Sequence, residues 1–206
     1  MNGYNTVKDG VCEIEIKRSR FIAYSYSIID EADAEKKIAH LRKLHYDARH
    51  VCYAYVADAE GLKIRFSDDG EPGGTAGKPV LDVIKNNGLK KTLIAVVRYF
   101  GGILLGAGGL TRAYSDGAAA VVKNSGSIFM AEKDVYKVET DYSTYKKISV
   151  PLKKLGPILS VEYGSGVVAR IACEKSAPAA EYVADISAGK AQAEYERSGY
   201  FQSENQ

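Results

Sequence analysis

Between residues 131 and 201 the chain keeps a rhythm that few architectures can satisfy. Ala131 to Tyr142 reads as a strand and Ser143 to Leu155 as a helix. Pro157 to Tyr163 and Val167 to Glu174 are strand-like on either side of Gly164-Ser165-Gly166, the composition of a hairpin turn. Ser176 offers a cap to a helix that carries Pro178 in its first turn and ends before Gly189. Ala191 to Phe201 is a last strand. The order β-α-β-β-α-β is that of the ferredoxin-like split βαβ unit. Val150-Pro151 lies inside the first helix, where a ring without an N–H bends or shortens it.

The preceding part reads differently. Cys12, Ile14 and Ile16 alternate with charged residues, as in a half-buried strand. Lys17-Arg18-Ser19-Arg20 makes a turn into a second strand, Phe21 to Ile29. Asp30 is an N-cap before the acidic first turn of a helix spanning about 31–46, with Ala34, Ile38, Leu41 and Leu44 on its apolar face. Strands follow at His50 to Ala57 and Leu62 to Phe66. A short helix at about 75–87 has Pro79 in its first turn and Gly88 just past its end. Thr92 to Tyr99 is a buried strand, and an alanine-rich helix spans about 110–124. The whole is an α+β protein of two domains, 1–128 and 131–206, with the boundary near 127–131 placed by the change of rhythm alone.

Composition narrows the function classes. The net charge is only +2, so no global field drives the chain onto nucleic acid. Residues 1–130 hold 18 basic against 15 acidic residues, so any anion surface is local to that part. Three scattered cysteines, Cys12, Cys52 and Cys173, make no disulfide framework and suit a reducing, cytoplasmic setting. No leader follows Met1, and no apolar run approaches the roughly 20 residues of a membrane span. The expectation is a soluble cytoplasmic chain with no membrane partner.

Chemistry concentrates in two glycine-rich segments. Eleven of the 20 glycines fall between Gly70 and Gly117. Gly73 to Pro79 is one residue short of a phosphate-cradling P-loop and puts Pro79 where magnesium would need Ser or Thr. Gly106-Ala107-Gly108-Gly109-Leu110-Thr111 lacks the third glycine of a dinucleotide fingerprint. Asp68, Asp69 and Glu71 could ligate a cation, yet Asp-Asp-Gly-Glu-Pro is also ordinary turn composition. His50 and Cys52 share a strand face, but no third group completes a catalytic or zinc set. No metal or cofactor is expected. Lys17, Arg18, Arg20, Lys78, Arg98 and Arg112, with Tyr53, Tyr99 and Tyr114, can form a basic surface with aromatics of the kind that holds RNA.

Four segments in register resemble the Impact family. They are Lys17 to Ile22, His50 to Ala54, Ser67 to Pro79 and Val97 to Tyr114. The added C-terminal unit is similar to that of the bacterial, YigZ-type branch. The resemblance implies an N-terminal domain like the second domain of ribosomal protein S-five and domain four of elongation factor G. It implies a C-terminal domain like domain five of that factor. Eukaryotic members regulate translation through a partner-binding segment that is not matched here, so their partner is not expected to carry over. Many relatives carry Lys where this chain has Leu104, which removes one positive charge from the loop.

Function is therefore expected in translation: regulation or accessory binding of RNA, the ribosome or a translation factor. The binding residues would be Lys17, Arg18, Arg20, Lys78, Arg98, Tyr99, Gly101, Gly102, Gly108, Gly109 and Arg112. The signature loop, Asp68, Asp69, Gly70, Glu71, Pro72 and Thr75, would lie beside them, with Arg98 or Arg112 paired to one of its carboxylates. Two alternatives stand beside this reading: an enzyme or binder for a phosphorylated small molecule or nucleotide, and a purely protein–protein regulator. No catalytic residue is assigned.

Overall fold

The run Thr92–Tyr99 is apolar on both strand faces because both faces are covered. In the computed structural model, which describes residues 3–203, it is the central strand of a five-stranded antiparallel sheet. The elements of this unit, Tyr4–Phe129, run in chain order as β1 (Gly3–Val7), β2 (Gly10–Ile16), β3 (Ser19–Ser27), α1 (Glu31–Leu44), β4 (His50–Val56), β5 (Ile64–Ser67), α2 (Gly77–Asn86), β6 (Thr92–Tyr99) and α3 (Gly106–Ser125). The sheet order is β2-β3-β6-β4-β5.

Successive β6 side chains enter two different cores. Ile94 and Val96 pack with Phe21, Cys52, Val80, Ile84, Tyr114 and Val121, under α2 and α3. Leu93, Ala95 and Val97 pack with Ala34, Ile38 and Leu41 of α1, on the other face. A strand buried on both sides loses the period-two pattern and reads as continuous hydrophobe.

Local chemistry sets the helix ends. The Asp30 carboxylate accepts from the Asp33 N–H at 2.8 Å and caps α1. Leu44, expected on the apolar face, is exposed, because the helix ends there. At the end of α2, Leu89 N donates to the Ile84 carbonyl and Gly88 N to that of Lys85, with Gly88 at φ +62. These are the two bonds of a Schellman cap, which needs a left-handed residue. Helix α3 starts at Gly106, four residues before the expected start, so Gly106, Gly108 and Gly109 belong to its first turn.

From Met130 onward a second unit has its own core. Its elements are β7 (Ser127–Thr140), α4 (Tyr142–Leu152), β8 (Ile158–Tyr163), β9 (Val167–Glu174), α5 (Ala179–Ile186) and β10 (Gln192–Gln202). The strands pair antiparallel in the order β10-β7-β9-β8. Val138, Ile148, Leu152, Ile171 and Val183 lie in its core. Pro151 is the second-last residue of α4, which stops at Leu152 rather than Leu155. Ser176 does not cap α5. The N-cap is Pro178, which offers no side-chain acceptor. The segment 127–131 is strand rather than loop, since only Gly126, at φ +74, separates α3 from β7. No helix among the described residues is long and apolar enough to cross a membrane.

Candidate functional site

Lys17 and Arg18 form the two-residue turn between β2 and β3, with Ile16 opposite Ser19. Both have positive φ, +47 and +64, as a type I′ hairpin demands. Neither is glycine, so the turn is held from outside. Gly101 supplies the hold: its N–H donates to the Ser19 hydroxyl at 3.1 Å. A β-carbon on Gly101 would lie 2.0 Å from the Arg18 carbonyl carbon and oxygen, so only glycine fits. The basic turn and the second glycine segment are thus seated on each other. Lys17 and Arg18 are exposed and form no ion pair among the described residues.

The acidic loop is occupied by the fold. The Asp68 carboxylate accepts from the N–H groups of Gly74 at 2.8 Å, Ala76 at 2.9 Å and Gly77 at 2.8 Å, and so serves the start of α2. Burial raises its pKa, but these three backbone donors outweigh it and hold the carboxyl below its ordinary value. Asp69, itself at φ +42, takes a two-bonded contact from Arg42 at 2.8 and 2.9 Å and one from Val51 N at 2.7 Å. Burial again opposes, and Arg42 and the Val51 N–H again prevail in lowering its pKa. The Thr75 hydroxyl and N–H both bond to the Pro72 carbonyl. Gly70 turns the loop at φ +83.

Glu71 is buried. Its Oε1 accepts from Arg98 Nη1 at 2.7 Å and from the Tyr114 hydroxyl at 2.8 Å. Arg98 is only 7% exposed, and its guanidinium lies 5.6 Å from the ring centroids of both Phe21 and Phe100. Its Nε has no hydrogen-bond partner among the described residues. Tyr114 is fully buried, with the Cys52 sulfur 3.4 Å from its hydroxyl. Burial pushes the Cys52 thiol up to about 12, which favours its protonated form. Burial, then Cys52 and Glu71, push the Tyr114 hydroxyl up as well. Among the described residues no three His, Cys, Asp or Glu side chains are grouped to hold a metal ion.

The pattern of the Impact N-terminal domain matches residues 17–122, which contain all of these groups. Relatives agree along most of the chain. An Impact family member of Bacillus subtilis is 36% identical over 92% of this chain and 89% of its own length. The Escherichia coli member YigZ is 37% identical over 86% and 90%. The chain belongs to the Impact family. A crystal structure titled as a hypothetical protein superposes with a TM-score of 0.65 at 34% identity, covering 94% of this chain and 97% of that one.

In this Impact chain the expected binding residues do not all share one surface. Arg98 is internal and pairs with Glu71, so its charge is already used. Arg20 and Tyr99 are cross-strand partners on the α1 side of the sheet. There Arg20 pairs with Glu13, and Tyr99 bonds to His45 and Asp47. Tyr53 and Tyr114, expected among surface aromatics, are buried. Lys78 is exposed in α2, 3.5 Å from Asp82. Arg112 is exposed on α3 and reaches Asp116 at 3.7 Å rather than the acidic loop. Gly102 and Gly108 are open to solvent, and Gly109 rests against the Leu105 side chain. Gly108 has neither a positive φ nor a close neighbour, so neither backbone nor packing requires glycine there. Sequence reasoning missed Arg42, whose Asp69 partner lies 27 residues away with no local signal. It also missed Phe100, which stands half exposed at the end of β6.

Proposed function

We propose that this protein is a translation-associated accessory factor that binds RNA, free or on the ribosome. The surface is the Lys17-Arg18 turn, the Gly101–Gly109 segment and the first turns of α3. The observation that carries the reading is the seating of Gly101 on Arg18, which sets Lys17 and Arg18, without an ion pair among the described residues, against the segment that leads into α3. That helix has no side-chain cap, so its first N–H groups are free for an anion. Arg112 adds a third exposed cation along the same helix. Family membership supports a role in translation.

Fluorescence anisotropy with labelled single-stranded RNA, and co-sedimentation with ribosomal subunits, test the reading across a salt series. Replacing Lys17, Arg18 and Arg112 together by Ala should weaken binding and flatten its salt dependence by about 2 in the log–log slope, at roughly 0.7 per lost contact. Parental binding by this variant at low and moderate salt refutes it. Ile103 and Leu104 expose apolar surface in the same segment, which suits a protein partner instead. Ribosome association that ignores both salt and the triple substitution would favour that second reading.

A further inference from the structure

We infer that Phe100 is the platform on which one unpaired RNA base stacks. The inference rests on the RNA-binding reading above and names the part of the nucleic acid that the site takes. Phe100 is 51% exposed, directly after the end of β6. An exposed phenylalanine is common and by itself says little. This one is supported from beneath. The Arg98 guanidinium lies 5.6 Å from its centroid and equally close to the buried Phe21 ring. Arg98 is fixed by Glu71 at 2.7 Å, and Glu71 by the Tyr114 hydroxyl at 2.8 Å. Phe21 in turn meets Tyr114 edge-on at 5.3 Å. The exposed ring is therefore the outermost member of a buried, hydrogen-bonded assembly and has little rotamer freedom left to lose on binding.

Its surroundings suit a nucleotide. Gly101 and Gly102 follow it, and Gly102 places no side chain near the ring. Through Gly101 the Lys17-Arg18 turn stands beside it, so phosphates flanking a stacked base meet two exposed cations. An aromatic face beside cations is the arrangement that holds single strands with little sequence preference. Buried Arg98 takes a structural part, fixing the ring rather than touching phosphate.

The chain has no tryptophan, so Phe100→Trp gives a single reporter. Anisotropy of labelled single-stranded RNA measures binding, and tryptophan emission measures stacking in the same titration. The expected result is strong quenching by single strands, and none by the same sequence in a duplex or by an abasic chain of equal length. Phe100→Leu keeps an apolar side chain without a π face and should weaken single-strand binding about five- to a hundredfold. Phe100→Tyr keeps the π face and should bind as the parent does, and a parental melting curve for Phe100→Leu excludes misfolding as the cause of its loss. RNA that binds by anisotropy without quenching, or binds Phe100→Leu as tightly as the parent, overturns the inference and leaves the RNA reading standing. If the parent binds no RNA by anisotropy, the RNA reading itself falls and takes this inference with it.

Discussion

Removing Glu71 should be among the most damaging single changes in the N-terminal unit. Its side chain is 3% exposed and that of Arg98 is 8% exposed, with 2.7 Å between them. Breaking a buried pair by deleting one partner leaves the other charge uncompensated, at a cost of about 3–5 kcal/mol. Glu71→Ala also strips the Tyr114 hydroxyl of its acceptor. With a urea slope of about 2 kcal/mol per molar, a loss of about 4 kcal/mol moves the midpoint down by about 2 M. Urea unfolding followed by circular dichroism reads this, and hydrogen exchange at β6 amides localises it. The triple change Arg98→Met, Glu71→Leu and Tyr114→Phe removes every member together. It should recover most of the loss, because apolar replacement of a buried pair is often neutral. Recovery is favoured here because Arg98 Nε already lacks a partner among the described residues, so the native pair is not fully satisfied. A loss under about 1 kcal/mol for Glu71→Ala, or strictly additive effects of the three changes, would refute the buried-network account.

Acid should weaken the fold through the signature loop. Asp68 and Asp69 have lowered folded-state pKa values. Each therefore stabilises the fold above the unfolded carboxyl value of about 3.9 and loses that contribution as pH falls through its folded value. Thermal unfolding across pH should show stability dropping below about pH 5, and Asp68→Asn should flatten the drop. Gly101→Ala should cost at least about 1–3 kcal/mol, since its β-carbon meets backbone at 2.0 Å. Gly108→Ala should instead stabilise by about 0.5–1 kcal/mol, as alanine replaces glycine in open helical space. Melting curves separate the two.

Much of the fold was legible because local and tertiary preferences agreed. Thr92–Tyr99 and Val167–Glu174 are strands with the ends the sequence suggests. Asp30 caps α1 by the chemistry its position offers. The start of α3 was not legible, because glycines disfavour helix by about 1 kcal/mol each. The burial of Leu110, Ala113, Tyr114, Ala118 and Val121 fixes the helix that those glycines begin. The site was legible in part. Pairing of Arg98 with a loop carboxylate was expected, and Glu71 is its partner. Strand alternation, applied to Arg98 and Tyr99, would have put these neighbours on opposite sheet faces. The Arg112–Asp116 contact is an ordinary four-residue helical spacing that competes with any distant partner.

The two glycine-rich segments look alike in sequence and do different physical work. In the first, the side chains of Asp68, Asp69, Glu71 and Thr75 each bond to other groups of the protein. A β-carbon on Gly77 would meet the Ser67 backbone at 2.7 Å. That segment is a clasp, joining β4, α2, β6 and α3 from inside. In the second, only Gly101 is committed to packing of that closeness, and Phe100, Ile103, Leu104 and Gly108 face outward. Glu71, through Arg98, links the clasp to the exposed ring of Phe100. Damage to the clasp should therefore lower stability and binding together, because binding depends on the position the clasp imposes. Gly108→Ala should separate them, raising stability while its added methyl obstructs approach to the α3 start. Opposite signs at Gly108 with equal signs at Glu71 is a pattern that a purely structural second segment cannot produce.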